Sequence, residues 1–347
     1  MKKIKYFDFF SGIGGFKSAV DAINDLPAKF EHAGFCEIEK NASKFYSEHY
    51  FDGDLKDIEF VNNVEDIKTV INPLGFKLNK FDLLLGGFPC QSFSNVGYRK
   101  GLEDERGQLF YNILHLLDEY EPEFFVLENV QKIATLKKGS VLEEMKSALE
   151  DCGYHVYLWD LVASDYGVPQ KRRRIFFAGV KNYHRKKALN VPPKLDLSKT
   201  KYPTAWHLLE KNNVDSKHYI PKRTRQTVLY KNPKWQGDVN IDNALARPIT
   251  ASMAKWHRAN QDNYFSDSYI NSSDPFVRPD VDLISEPIRR ITPLEGFRLQ
   301  GFDDRFEETR KRLKISYSAA YKLIGNAVPV PLAKAVVHHL LLNYLTS

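Results

Sequence analysis

Cys90 closes the run Phe81-Asp-Leu-Leu-Leu-Gly-Gly-Phe-Pro-Cys90, which reads as a short apolar strand delivering a thiol to its carboxyl end. Open parallel sheets bind their ligands at that edge. A lone cysteine is more often a small core residue than a nucleophile. Here a glycine pair precedes it, Pro89 fixes the turn beside it and the polar Gln91-Ser-Phe-Ser94 follows, which does not describe a packed position. A thiolate so presented can add to an electrophilic carbon. Glu128 ends the run Phe124-Phe-Val-Leu-Glu128 in the same way, so its carboxyl is expected at the same edge, where it can share a proton with a pyrimidine ring nitrogen. In Gln170-Lys-Arg-Arg-Arg174 the alternation of an extended chain puts Arg172 and Arg174 on one face and Lys171 and Arg173 on the other.

A second constellation lies near the N-terminus. Phe10-Ser-Gly-Ile-Gly-Gly15, with Ile13 between its glycines, joins an apolar strand to a helix that starts near Lys17. Gly12, Gly14 and Gly15 let a ligand approach the backbone closely. Their spacing departs from GxGxxG, because Lys17 stands where that pattern needs glycine, and this argues against a pyrophosphate. Glu37 ends the next apolar run, where a carboxylate can accept hydrogen bonds from ribose hydroxyls; alone it reads equally as a surface carboxylate. The two features together point to an adenosine-bearing cofactor.

The elements that must position these residues follow from the hydrophobic pattern. Residues 4–180 alternate strands and helices, an α/β arrangement that builds a mostly parallel sheet with helices on both faces. Ile4–Phe10, Phe81–Leu85, Phe124–Leu127 and Ile175–Val180 are expected as buried strands; Gln108–Glu119 and Val141–Cys152 are expected as helices, the latter stopped by Gly153. Asn95–Gln108 is a long polar loop, either an ordinary connection or a lid hinged at Gly97, Gly101 and Gly107. Regularity lapses from about 182 to 287 and returns as helix over Leu313–Leu345, with an apolar face of Ala333, Val336, Val337 and Leu340. Three segments are therefore expected: 1–181 for catalysis and cofactor, a smaller irregular domain over 182–287, and 288–347 returning to the first.

Charge separates these segments. Between Lys171 and Lys234 there are 18 lysines and arginines against 3 acidic residues, whereas the remainder holds 32 basic and 41 acidic residues. A cationic face so poor in acids suits a polyanion. The three cysteines show neither a disulfide framework nor a zinc spacing, so no metal is expected, and no apolar run approaches a membrane span. A cytoplasmic, membrane-free protein is expected.

Taken in order, FFSGIGGF, GGFPCQSFS, ENV, QKRRR, RPIT and GNAVPVPLA resemble the signature blocks of the bacterial DNA cytosine-5 methyltransferase family, and they span nearly the whole chain. The resemblance implies a Rossmann-like class I methyltransferase fold with a target-recognition domain. It implies S-adenosyl-L-methionine as methyl donor, leaving S-adenosyl-L-homocysteine. Carried over by position, it makes Phe10, Ser11, Gly12, Ile13, Gly14, Gly15, Glu37, Ile38, Asp66, Ile67, Pro89, Leu109, Asn326 and Val328 the cofactor pocket. Asp54 and Asp57 are rivals to Asp66 for the adenine amino group. Ile38 stands where the family often has a large aromatic residue, so apolar packing would grip the adenine.

Under the same resemblance Cys90 adds to carbon 6 of a flipped-out cytosine, Glu128 meets nitrogen 3, and Arg172 or Arg174 contacts oxygen 2. Gln91, Ser94, Arg99 and Arg106 would contact DNA beside the target. Arg223, Arg225, Lys255 and Arg258, with Gln226, Trp256 and His257, are candidate groove readers in the irregular domain, with a phosphate contact or a structural role as the alternative for each. The expected partner is double-stranded DNA, methylated by a monomer, with room for a separately acting restriction endonuclease. Two other readings stay open: an RNA cytosine methyltransferase on the same scaffold, and a DNA-binding regulator without catalysis.

Overall fold

The computed structural model describes residues 1–55, 59–61, 80–89, 108–184, 187–230 and 240–345, with 59–61 and Gln108 described in backbone only. The chain packs as two units, one made of Met1–Leu161, Arg173–Pro193 and Leu332–Ser347, the other of Val162–Arg172 and Lys194–Pro331.

In the first unit, β1 (Lys2–Phe9), β2 (Ala28–Cys36), β3 (Glu59–Val61), β4 (Leu83–Gly87), β5 (Phe124–Val130), β6 (Tyr154–Val162) and β7 (Arg173–Lys181) form one sheet in the order β3-β2-β1-β4-β5-β7-β6. The pairs β3–β2, β2–β1, β1–β4 and β4–β5 are parallel, and β7 runs antiparallel to β5. The carboxyl ends of β1, β2, β4 and β5 therefore share one rim, and the antiparallel β7 starts at it. Register fixes the neighbours there: Phe9 lies beside Cys36 and Gly86, Gly87 beside Glu128, and Val130 beside Arg174.

Alternate side chains of β1 serve opposite faces of the sheet. Phe7 and Phe9 join an apolar cluster with Leu84, Phe125 and Leu127, completed by Phe110, Ile113, Leu116 and Leu117 of the helix Gln108–Tyr120 and by Val141, Met145 and Leu149 of the helix Ser140–Asp151. Asp8 instead accepts a hydrogen bond from Tyr46 of the helix Lys40–Phe51. The helices are α1 (Gly15–Asp21), α2 (Lys40–Phe51), α3 (Gln108–Tyr120) and α4 (Ser140–Asp151). The apolar residues of α3 recur at the three- and four-residue spacing of one helix face. Helix α4 stops ahead of Gly153, as its sequence indicates.

The second unit has little sheet, β8 (Tyr264–Ser266) against β9 (Ile288–Arg290), with α5 (Lys222–Leu229), α6 (Asp267–Ile270), α7 (Pro293–Leu299), α8 (Arg305–Arg312) and α9 (Tyr317–Asn326). A modest apolar cluster of Ile220, Val228, Leu229, Ile241, Ala259, Tyr264 and Ile288 includes residues of both strands. Charge is buried nearby. Arg289 and Glu295, 1% and 0% exposed in their side chains, pair at 2.7 Å. Glu295 also closes a capping box with Thr292 at the start of α7.

Packing divides the chain differently from composition. The expected 288–347 segment does not return whole: residues 288–331 stay with the second unit, held by β9 and the capped α7, and only Leu332–Ser347 joins the first. Those last residues belong to α10 (Val330–Leu345), whose Ala333, Val336, Val337 and Leu340 are fully buried. The helical segment expected over 313–345 begins only at Tyr317 and is interrupted at Ala327-Val-Pro329, where proline forbids continuation. Among the described residues no helix is long and apolar enough to cross a membrane.

Candidate active site

The glycine turn leaves β1 through Phe10, held at a φ of 57°. Ser11 N donates to Cys36 O, tying the turn to the end of β2. Gly12 (φ 56°) donates its N–H to Glu37 Oε2 at 2.8 Å, and Glu39 N donates to Glu37 Oε1 at 2.7 Å. Burial raises the Glu37 carboxyl above its ordinary value, and these backbone donors oppose the rise. Each carboxylate oxygen has accepted one of these bonds and can accept another. Gly14 (φ 89°) cannot be replaced cheaply: a Cβ there would stand 2.4 Å from the Tyr50 ring, whose hydroxyl donates to Gly14 O. At Gly12 a Cβ would meet nothing within 4 Å, so the space above that residue is open.

These residues fit the adenosine end of S-adenosylmethionine. Glu37 offers acceptors, Ile38 beside it is 56% exposed, and buried Ser11 Oγ has no hydrogen-bond partner among the described residues. Ile13 is buried, Gly14 and Gly15 close the turn, and half-buried Leu109 packs against the apolar cluster from the first turn of α3. Asp8, buried under the turn, is raised well above the ordinary carboxylate range by that burial.

At the same rim, buried Asn129 donates Nδ2–H to Phe88 O at 3.0 Å and accepts at Oδ1 from Val130 N. This clamps the chain two residues before Cys90 to the end of β5. Pro89 follows, exposed. Glu128 Oε1 lies 2.5 Å from Arg174 Nε, with side chains only 10% and 11% exposed, and Arg174 Nη1 donates to Arg173 O. The rim thus joins a buried carboxyl, its guanidinium and the backbone leading to the cysteine.

Alternation is as expected along the arginine block: Lys171 and Arg173 are exposed, Arg172 and Arg174 buried. Arg174 pairs with Glu128. Arg172 belongs to the second unit, where it donates to Ile249 O, Gly325 O and Ala327 O at 2.8–3.0 Å. It brackets Asn326 and stands two residues before Arg174 in the sequence. Gln170 works beside it, accepting from Ile249 N and donating to Leu299 O. Asn326 and Val328 lie in this second unit.

Of the candidate DNA contacts, Arg223 and Lys255 are exposed and Arg258 is half-buried. Arg225 donates to Leu283 O and Glu286 O, so its guanidinium ties α5 to the 283–286 segment. Cys90, Gln91, Ser94, Arg99, Arg106, Asp66 and Ile67 lie outside the described residues. Asn129, Gln170, Gln300, which donates Nε2–H to Ile324 O, and the Arg289–Glu295 pair carry roles that no local spacing announces, save one. A signal existed only for the last, since Thr292-Pro-Leu-Glu295 has the spacing of a capping box.

Residues 4–341 match the profile of the family described as C-5 cytosine-specific DNA methylase. The chain is 32% identical to type II methyltransferase M.HpaII of Haemophilus parainfluenzae over 96% of its own length and 88% of that protein's. It is 30% identical to type II methyltransferase M.HaeII of Haemophilus aegyptius over 97% and 92%. Among solved structures, the Entamoeba histolytica methyltransferase EhMeth superposes with a TM-score of 0.73 at 19% identity, covering 99% of both chains. The S. pombe Dnmt2 methyltransferase gives 0.72 at 19% over 98% and 99%, a likeness of fold.

Proposed function

The chain belongs to the C-5 cytosine-specific DNA methylase family, and we propose that it methylates a cytosine turned out of duplex DNA, by way of a covalent bond between Cys90 and carbon 6 of the base. Carbon 5 is too electron-poor to attack a methyl sulfonium unaided, so a nucleophile must first add at carbon 6. When bound, S-adenosylmethionine supplies the methyl group. The Cys90 thiolate forms the carbon–sulfur bond, and the displaced electron pair moves toward carbon 5. Glu128 shares a proton with nitrogen 3 and disperses the charge that builds on the ring. Arg174 orients that carboxyl and is the donor we assign to oxygen 2. After carbon 5 has taken the methyl group, loss of its proton to a base returns the electron pair and expels Cys90 as thiolate.

The observation that carries this reading is the Glu128–Arg174 pair at 2.5 Å, on the strand end whose Asn129 holds the chain leading to Cys90. The fit of Gly12, Glu37 and Ile38 to an adenosine supports the cofactor, with Asn326 and Val328 assigned to the same pocket by family position. Turning out the base costs roughly a few kcal/mol, which phosphate contacts from the cationic segment would offset. The second unit is assigned to target recognition and the activity to protecting host DNA beside a restriction endonuclease. Bisulfite sequencing of DNA from a methylation-free host expressing the protein tests this: one short sequence should carry modified cytosine, and Cys90→Ser should abolish it while cofactor binding survives. Normal methylation by that variant contradicts the mechanism.

A further inference from the structure

Residues 251–258 form a chain of turns carrying Lys255, His257 and Arg258. A segment without helix or strand presents side chains reproducibly only if something else holds its backbone. Within the loop, Lys255 N donates to Ser252 O and His257 Nε2 to the same carbonyl. From outside, Arg290 of β9 donates Nη1–H to Ala254 O at 2.7 Å and to Met253 O at 3.2 Å. Its guanidinium also lies 3.6 Å from the centre of the Trp256 ring, and that ring stacks on Tyr264, the residue paired with Arg290 across the hairpin. The loop is therefore clamped at 253, 254 and 256 by one side chain rooted in the small sheet of the second unit.

We infer that Arg290 is the positioning residue that sets sequence discrimination in the methylation reaction, by holding the 251–258 loop in its reading conformation before DNA arrives. This rests on the assignment of the second unit to target recognition. Base edges are told apart by hydrogen-bond geometry, so a loop that must be ordered on binding loses selectivity as well as affinity. Only arginine meets all of the demands: a flat cation to lie on indole and donors on the same group for two carbonyls. Lysine keeps the charge and loses the plane. Arg290 itself need not touch DNA.

Bisulfite sequencing first gives the wild-type target; kcat and KM are then measured with the full chain on a duplex carrying it and on duplexes changed at single base pairs. Arg290→Lys should lower the ratio of kcat/KM between the target and the changed sites by about tenfold, a sizeable part of what one base pair contributes. The change should appear as a higher KM on the target and improved methylation of wrong sites, with kcat on the target within about threefold. Trp256→Leu, which keeps the carbonyl bonds, should shift the ratio the same way by about threefold, and it decides the matter if Arg290→Lys does not fold. A ratio unchanged in the folded variants, or an equal loss on every duplex, overturns the inference. A wild-type enzyme that methylates without sequence preference contradicts the parent assignment instead.

Discussion

In the first unit the interior is apolar apart from Asp8 under the glycine turn, and the charged groups of the site stand at one rim of the sheet, whereas in the second the interior itself is threaded with charge. Phe7, Leu84, Phe125 and Ile113 fill the first core, and Glu37, Glu128 and Arg174 gather at the strand ends above it. In the second, Arg172, Gln170, Gln300, Arg289 and Glu295 are each 2% exposed or less and bond to distant backbone groups or to one another. A sheet satisfies its own backbone, so its side chains are left for packing and chemistry. A unit built mostly of loops must recruit side chains to satisfy carbonyls and N–H groups that no ladder reaches.

Breaking the rim should cost catalysis alone. Glu128→Gln removes the shared proton, and methyl transfer measured with tritiated cofactor should fall by about 10²–10⁴-fold with cofactor affinity unchanged. Breaking the charged interior should cost structure. Arg289→Met leaves buried Glu295 unpaired and should destabilise the second unit by about 3–5 kcal/mol. Amide exchange should then accelerate in α7 and β9 and stay slow in β1, β4 and β5; equal acceleration would show one shared core.

A smaller effect sharpens the first unit's side of the contrast. Gly14→Ala places a methyl group against Tyr50 in a left-handed conformation that costs about 1–2 kcal/mol by itself. Calorimetric titration should give cofactor binding weakened by roughly tenfold or more.

The smallest concerns Asp262 in the second unit, which burial lifts from 3.8 to about 6. The native state therefore holds a proton that the unfolded chain has released, and this group favours folding more as the pH drops through 6 toward 4. Asp262→Asn should raise the melting temperature by roughly 2–4 °C at about pH 8 and leave it unchanged at about pH 4.5. A gain at both pH values would assign the effect to packing.

The same contrast explains what could be read in advance. The strands carrying Asp8, Glu128 and Arg174 are apolar runs bounded by glycine, proline or charge, and the middle of the sheet follows from that pattern, whereas the edge strands β3 and β6 do not. Helix α3 and the stop at Gly153 were equally legible. β2 was legible only as the apolar run ending at Glu37, because Lys29, Glu31 and His32 interrupt it. The second unit was legible only as an absence of period. Its order depends on contacts such as Arg172 with Ala327 across 155 residues, which no local spacing announces. For the same reason Arg172 and Arg174 looked alike in sequence and serve different units.

The central claim is the reversible bond from Cys90 to carbon 6, and it can be caught directly. A duplex with 5-fluorocytosine at the methylated position cannot release a proton from carbon 5, so the adduct should persist after methyl transfer. Incubated with S-adenosylmethionine and digested, the protein should yield a single peptide, the one containing Cys90, heavier by the methylated nucleotide. Full turnover on ordinary duplex with no such adduct, or an adduct on Cys36 or Cys152, would contradict the account.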